Sequence, residues 1–243
     1  MTSQRPTVKH GTYSISPDGP TLAFALHQPT QAGSRAALIA HPYGRLGGSK
    51  EDHVVVALAE KLASEGWAVL RYDARGAGAS TGSVSWTGTA EATDYERMLR
   101  DVLLPAFLPN STAEPRTVTL LLAGYSYGSL AASACSPPSD TADVHFETSY
   151  VLISYPLSVA WALCALQTSF FTSALRIRSK DHCVLAVYGD QDQFTAVEKF
   201  RRWAAELGRS ESSRSVEVAG ADHFWRDKKH KADLLSAICN WIS

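Results

Sequence analysis

The sequence lacks the cysteine pattern, the charge excess and the long apolar run that mark several large classes of protein. Its four cysteines, Cys135, Cys164, Cys183 and Cys239, are widely spaced, without a Cys-x-x-Cys pair or a His/Cys cluster at zinc-site spacing. We therefore expect free thiols and no metal. The 23 Lys and Arg residues against 24 Asp and Glu give a formal charge of −1, which argues against a nucleic-acid partner.

We also predict no membrane-spanning segment. Residues 148–175 carry no Asp, Glu, Lys or Arg, but serines, threonines and a proline interrupt the stretch. The N-terminal residues lack the apolar core of a signal peptide. We therefore predict a cytoplasmic protein with no membrane partner. The sequence does not indicate an oligomeric state.

What the sequence does contain is a regular alternation of short apolar runs and amphipathic runs over one domain, residues 1–243. This alternation predicts an α/β protein with a mostly parallel sheet and helices on both faces. The predicted strands are Thr12–Ile15, Thr21–Leu26, Ala36–Ala40, Trp67–Tyr72, Val118–Ala123, Tyr150–Ser154, Val184–Tyr188 and Ser215–Val218. The first two are expected to pair as an antiparallel hairpin.

Helical spacing of apolar residues predicts the intervening helices. The first contains Val55 to Leu62, with Ser49 as its expected N-cap, and a second is expected to end near Pro105. Two further helices are predicted around Val197–Leu207 and Ala232–Ile242.

The segment Gly124-Tyr125-Ser126-Tyr127-Gly128 matches Gly-x-Ser-x-Gly, a motif that presents a serine on a sharp strand-to-helix turn. Gly78 to Gly82 matches the same pattern around Ser80. Ser126 directly follows an apolar strand and precedes a helical run, whereas Ser80 lies in a Gly-rich loop. We therefore select Ser126 as the candidate nucleophile.

The same Gly-rich loop, with Gly76, Gly78 and Gly82, loosely resembles a dinucleotide-binding turn. Such a turn needs a helix N-terminus immediately after it, and no helical period follows here. We expect no nucleotide and no other cofactor.

A serine hydroxyl becomes nucleophilic when a base accepts its proton and a third group orients that base. Asp192, in the turn after the strand Val184–Tyr188, is the preferred acid, with Asp190 as the alternative. His223, after the strand Ser215–Val218, is the candidate base. Because the C-terminal ends of parallel strands share one edge of a sheet, these residues are expected to converge.

The chemistry also requires two backbone N–H donors for the oxyanion of a tetrahedral intermediate. Tyr127, directly after the serine, is expected to supply one donor. The loop after Ala36–Ala40 is expected to supply the other, and Tyr43 is the candidate because Pro42 has no N–H.

With these motifs the chain resembles the α/β-hydrolase superfamily over nearly its whole length, from about Thr12 to the last helix. The resemblance rests on residues 124–128, 189–192, 220–223 and 73–80, and on a His41-Pro42-Tyr43-Gly44 loop that is similar to the family's oxyanion loop. It implies an eight-stranded, mainly parallel sheet, with Ser126, Asp192 and His223 as the catalytic residues. Small serine esterase-like members with a minimal cap are the most similar.

The substrate pocket is expected to be apolar and to have no large lid. The short, cap-like segment is predicted at about residues 155–182, where Tyr155 and Trp161 are candidate pocket residues. An alternative is that the aromatic residues of this segment pack against the sheet. The remaining candidates are Leu46, Trp86, Phe194 and Phe224.

These observations predict a serine hydrolase that cleaves a small, apolar carboxylic ester or thioester through an acyl-enzyme. One alternative is that the same site performs acyl transfer, cyclisation or lyase chemistry on a specialised metabolite. Another is a binding protein that kept the fold without the chemistry.

Overall fold

A computed structural model describes residues 6–29, 33–108, 115–210 and 212–242. Its centre is a single eight-stranded sheet with the strand order β1-β2-β4-β3-β5-β6-β7-β8. The strands are β1 Thr7–Ser14, β2 Thr21–Gln28, β3 Arg35–Ala40, β4 Ala68–Tyr72, β5 Arg116–Tyr125, β6 Val144–Ile153, β7 Cys183–Gln191 and β8 Ser213–Asp222. Each predicted strand is present, and several extend further than the apolar pattern indicated.

The sheet is mostly parallel, as predicted. β1 and β2 form the expected antiparallel hairpin, and β2 also pairs antiparallel with β4. The pairings from β4 through β3, β5, β6 and β7 to β8 are parallel. The C-terminal ends of β3, β5, β7 and β8 therefore lie along one edge, where the candidate site residues follow.

Helices cover both faces of the sheet. They are α1 His53–Ser64, α2 Thr89–Arg97, α3 Leu104–Phe107, α4 Tyr127–Ala134, α5 Ala160–Leu163, α6 Thr168–Asp181, α7 Val197–Leu207 and α8 Lys228–Trp241. Apolar residues of α1 and α8 pack on one face, and those of α2, α4 and α6 pack on the other. In the described part of the chain no helix has both the length and the apolarity needed to cross a membrane.

The structure corrects one predicted helix boundary and agrees with another. The N-cap of α1 is Asp52, whose side chain accepts hydrogen bonds from the N–H groups of Val54 and Val55, and not Ser49. The helix containing Tyr95 ends near Pro105, as predicted: a π-helical segment, Met98–Leu103, is followed by α3, which ends at Phe107.

The Gly-rich loop after β4 has a structural role in the fold. The Asp73 carboxylate accepts hydrogen bonds from the backbone N–H groups of Lys50 and Ala79 and from the Lys50 ammonium. Ser80 Oγ donates to Asp73 O and accepts from Ala23 N, so the second Gly-x-Ser-x-Gly serine is tied into this loop.

Candidate active site

Ser126 lies at the tight turn between β5 and α4, with φ 52° and ψ −119°. A positive φ is unusual for a residue with a side chain and costs free energy that the surrounding structure must supply. The backbone N–H of Ser126 donates to Ile153 O at 2.8 Å, which fixes the turn to the end of β6. The serine side chain is thereby presented at the C-terminal edge of the sheet.

The two motif glycines are required by close backbone approach. A Cβ at Gly124 would lie 2.2 Å from Gly128 O, and a Cβ at Gly128 would lie 2.5 Å from Ala40 O. These distances are far below van der Waals contact. The glycines therefore allow α4 to begin directly behind Ser126 and against the end of β3.

The three predicted side chains form a continuous line of hydrogen bonds. His223 Nε2 lies 2.9 Å from Ser126 Oγ, and His223 Nδ1 lies 2.6 Å from Asp192 Oδ2. An ionised carboxylate only accepts hydrogen bonds, so the ring proton belongs on Nδ1 and Nε2 is left to accept from the serine hydroxyl. This tautomer makes His223 a base that faces the serine.

The structure distinguishes the two aspartates of the β7 turn. The side chain of Asp192 is fully buried, and its other oxygen, Oδ1, accepts from the N–H groups of Phe194 and Thr195 at 2.8 and 2.9 Å. Asp190 instead accepts from Gly220 N at 2.7 Å, which links the β7 turn to β8. Asp192 is therefore the carboxylate that contacts the histidine.

Three side chains that sequence reasoning did not assign hold the histidine loop in place. Tyr125 Oη donates to His223 O at 2.7 Å, and Gln193 Oε1 accepts from His223 N at 3.0 Å. Trp225, fully buried with φ 53°, donates its indole N–H to Ser154 Oγ. Tyr125, Gln193 and Trp225 lie within two residues of the predicted catalytic residues in the sequence. Their contacts depend on tertiary structure, so the sequence alone did not assign them a role.

Both candidate oxyanion donors lie beside the serine. Within the described residues, the backbone N–H groups of Tyr43 and Tyr127 make no hydrogen bond to another protein group. The two tyrosine rings pack edge to face, with centroids 5.0 Å apart. Buried His41 accepts from Ala74 N through Nε2 and contacts Pro42 O through Nδ1, which fixes the start of this loop.

A cavity of about 200 Å³ opens beside Ser126 and His223. Predicted pocket residues Leu46, Phe194 and Phe224 line it. The remaining lining residues are Pro42, Tyr43, Gly47, Gly48, Asp52, Tyr125, Val159 and Leu163. The cavity wall is therefore mainly apolar and aromatic.

Three predicted pocket residues do not line this cavity. Tyr155 is buried and stacks on the ring of Trp203, so it belongs to the packing beneath α7. Trp86 and Trp161 are 77% and 70% exposed, and Arg45 lies over the Trp86 ring. Within the predicted cap-like segment, α6 packs on the sheet through Phe171 and Leu175, so the alternative of sheet packing describes that helix.

A second, larger groove of about 680 Å³ lies between α6 and α7 and shares no lining residue with the serine cavity. The part of the chain that the structure describes contains no group of three or more His, Cys, Asp or Glu side chains arranged to hold a metal ion.

Comparison with known proteins finds a matching family model and a relative of similar length. The model of a family described as "Serine aminopeptidase, S33" matches residues 47–180, just over half of the chain. The matched range contains Ser126 and ends before Asp192 and His223. The chain is also 25% identical over 211 residues to the uncharacterized protein C959.06c of Schizosaccharomyces pombe, covering 86% of each protein.

Solved structures share the fold. An alpha-beta serine hydrolase homologue from Coxiella burnetii has a TM-score of 0.72 and 21% identity, with 96% of this chain and 97% of that chain covered. XC6422 from Xanthomonas campestris, a serine hydrolase described as lacking a lid, has a TM-score of 0.68 and 23% identity, covering 98% and 94%. Est1E from Butyrivibrio proteoclasticus, solved with ferulic acid bound, has a TM-score of 0.65 and 20% identity, covering 95% and 97%.

Proposed function

Because the chain belongs to the serine aminopeptidase S33 family of α/β hydrolases, we propose that it is a serine hydrolase that cleaves a carboxylic ester or thioester through an acyl-enzyme. Ser126 is the nucleophile, His223 the general base and Asp192 the orienting carboxylate. The observation that carries the proposal is the continuous hydrogen-bonded line Ser126 Oγ, His223 Nε2, His223 Nδ1 and Asp192 Oδ2.

Acylation uses the proton path that this line provides. Ser126 Oγ attacks the substrate carbonyl carbon while its proton passes to His223 Nε2. The carbonyl oxygen becomes an oxyanion, which accepts hydrogen bonds from the backbone N–H groups of Tyr43 and Tyr127. Collapse of the tetrahedral intermediate breaks the bond to the leaving alcohol or thiol, which takes the proton from His223, and leaves the acyl group on Ser126.

Deacylation repeats these steps with water as the nucleophile. His223 accepts a proton from water, the hydroxyl adds to the acyl carbon, and Ser126 leaves with the proton returned by the imidazolium. Asp192 stays ionised and stabilises the imidazolium through its hydrogen bond to Nδ1. The free acid and the starting enzyme are the products.

The cavity supports a small substrate with apolar groups around the scissile bond. Its volume is about 200 Å³, and Leu46, Val159, Leu163, Phe194 and Phe224 contribute apolar wall. Burial of short acyl or alcohol groups against these side chains supplies binding free energy without a directional contact.

Replacement of the nucleophile tests the proposal directly. We expect Ser126→Ala to lose at least about three orders of magnitude in kcat on 4-nitrophenyl butyrate, because no acyl-enzyme can form. Ser80→Ala, which alters the other Gly-x-Ser-x-Gly serine, is the matched control and should retain turnover. Undiminished esterase activity in folded Ser126→Ala would refute the assignment.

A further inference from the structure

The cavity beside Ser126 contains a carboxylate that the proposed mechanism does not use. Asp52 lines the cavity together with Ser126 and His223. The cavity-lining residues include no lysine and no arginine. Asp52 is therefore the one carboxylate among the residues that line the cavity with the reacting serine.

Only one oxygen of this carboxylate is engaged by the protein. Asp52 Oδ1 accepts hydrogen bonds from Val54 N at 2.8 Å and from Val55 N at 3.4 Å, as an N-cap does. Among the described residues, Oδ2 has neither a hydrogen bond nor an ion pair. A helix cap needs one acceptor oxygen, which asparagine or serine also supplies, so the cap alone does not require a charge here.

The neighbouring cations have other partners. Lys50 Nζ lies 2.8 Å from Asp73 Oδ2, and Lys231 Nζ lies 3.3 Å from His53 Nδ1. The guanidinium of Arg226 lies over the Phe224 ring, 4.5 Å from its centroid. The charge of Asp52 acts on the cavity wall. After burial, it is the next cause of the raised pKa of Tyr125, and Arg226 opposes it to a smaller extent.

Aromatic rings also line the cavity beside Asp52. Tyr43, Tyr125 and Phe194 line the same cavity as Asp52, and so does Phe224, one face of which Arg226 already covers. The face of an aromatic ring attracts a cation, and several rings combined with a carboxylate suit an ammonium group. An anion would instead be repelled by Asp52 and would find no cation in the wall.

From this juxtaposition we propose that the substrate is an ester or thioester carrying a cationic ammonium group a few bonds from the scissile carbonyl, with Asp52 as the residue that selects it. The inference rests on the proposed function. The electrostatics of the transition state also favour a cationic substrate. An unpaired carboxylate disfavours the oxyanion of the transition state, and a bound cation offsets the charge of that carboxylate.

Two isosteric substrate pairs test this specificity. One pair places the charge on the acyl side: the 4-nitrophenyl esters of 4-(trimethylammonio)butanoate and 5,5-dimethylhexanoate. The other places it on the alcohol side: butyrylcholine and 3,3-dimethylbutyl butyrate. The measured quantity is the ratio of kcat/KM for the cationic and the neutral member of each pair.

Asp52→Asn removes the charge and keeps an acceptor for the helix cap. We expect wild type to prefer the cationic member of at least one pair by about tenfold or more, and Asp52→Asn to reduce that ratio by about tenfold. Glu51→Gln is the matched control. It removes the same charge from the adjacent residue, whose side chain lies outside the cavity lining. It should leave the ratio unchanged.

The outcomes separate this inference from the function on which it rests. Turnover of the neutral esters with ratios near one in wild type, or equal ratios in wild type and Asp52→Asn, would overturn the selectivity and leave the hydrolase intact. A loss of ratio in Glu51→Gln equal to that in Asp52→Asn would assign the effect to general surface charge. Serine-independent turnover would instead remove the proposed function itself.

Discussion

At the scale of single residues, the orientation of His223 depends on partners that are distant in the chain. Asp192 binds Nδ1, while Tyr125 and Gln193 hold the backbone of the histidine through its carbonyl and its N–H. Three contacts therefore fix both the tautomer and the position of the ring. Little rearrangement is needed when the ring receives a proton during the reaction.

The choice between Asp192 and Asp190 is testable by a matched pair of amide substitutions. We expect Asp192→Asn to lower kcat by about three to four orders of magnitude, because an amide at this position favours the wrong histidine tautomer. Asp190→Asn keeps an oxygen for Gly220 N and should lower kcat by less than about tenfold.

Steady-state kinetics on 4-nitrophenyl butyrate, together with circular dichroism to verify folding, measure both effects. The reverse ranking of the two variants would make Asp190 the acid and contradict the assignment of Asp192.

The residues of the candidate site were predictable to different degrees. Ser126 and His223 follow strands in motifs of a few residues, so local sequence and parallel topology are enough to select them. The choice between Asp192 and Asp190 needed the hydrogen bonds of the structure. Tyr125, Gln193 and Asp52 are different, because their roles depend on which way a side chain points after folding. Asp52 was missed even as a helix cap, since Ser49 also fitted the local pattern.

At the scale of elements, the turn from β5 to α4 determines how the serine is presented. Close packing of α4 on the end of β3 brings Tyr127, the first residue of α4, against the Tyr43 loop, and the two tyrosine rings pack edge to face. This packing requires the absence of a side chain at Gly128, where a Cβ would clash with two carbonyl oxygens, those of Ala40 and His41.

Gly128→Ala is therefore expected to separate α4 from the Tyr43 loop, which we propose to supply an oxyanion donor. We predict a loss of about 1 to 3 kcal/mol in the free energy of unfolding from overpacking, and a fall in kcat of more than about tenfold. Urea denaturation and esterase kinetics measure the two effects.

Gly208→Ala, at the end of α7 with φ −70° and its nearest contact at 3.2 Å, is the control and should change both quantities much less. A fully active and stable Gly128→Ala protein would show that the close approach is not required.

Most elements were predictable because apolar periodicity reports burial, as in the strand that became the centre of β5. Their ends were less predictable. β6 begins at Val144, where half-exposed and exposed residues alternate at the sheet margin. The helix around Tyr95 ends near Pro105 as predicted, but it contains a π-helical segment, Met98–Leu103, that no apolar pattern signals.

At the scale of the whole molecule, one buried histidine of the sheet makes the stability of the fold depend on pH. His27 on β2 is 3% exposed, and its Nε2 accepts from Arg71 Nε at 3.1 Å. Burial, followed by the charge of Arg71, lowers the pKa of His27 to about 4 from its ordinary value of 6.5. The folded protein therefore holds this histidine in its neutral form.

This shift predicts a specific acid sensitivity. Below pH 6.5 the unfolded chain binds a proton at this residue that the folded protein refuses until pH reaches about 4. The contribution of His27 to stability is therefore complete above pH 6.5 and is lost as pH falls towards 4. Once screening by solvent is allowed for, we expect a loss of about 1 kcal/mol at pH 5.

His27→Gln, which offers Arg71 a neutral acceptor, isolates this effect. The difference in unfolding free energy between pH 7.5 and pH 5, measured by urea denaturation, should be smaller in the variant than in wild type. Equal pH dependence in the two proteins would show that His27 does not titrate as described.

The shape of the substrate cavity was the least predictable property of the whole molecule. Aromatic residues near a predicted cleft look alike in sequence, yet Phe194 and Phe224 line the cavity, Tyr155 packs inside the protein, and Trp86 is exposed at its surface. These outcomes depend on tertiary packing, such as that of Tyr155 on Trp203 of α7. Asp52 comes to the same cavity from the N-terminus of α1.

The central claim is that Ser126 is activated by His223 and Asp192, and covalent labelling tests it most directly. Purified protein treated with a fluorophosphonate probe and analysed by intact and peptide mass spectrometry should carry one adduct, on the peptide containing Ser126. The adduct should be absent in Ser126→Ala. Failure of the folded wild-type protein to react, or an adduct that persists in Ser126→Ala, would contradict the account.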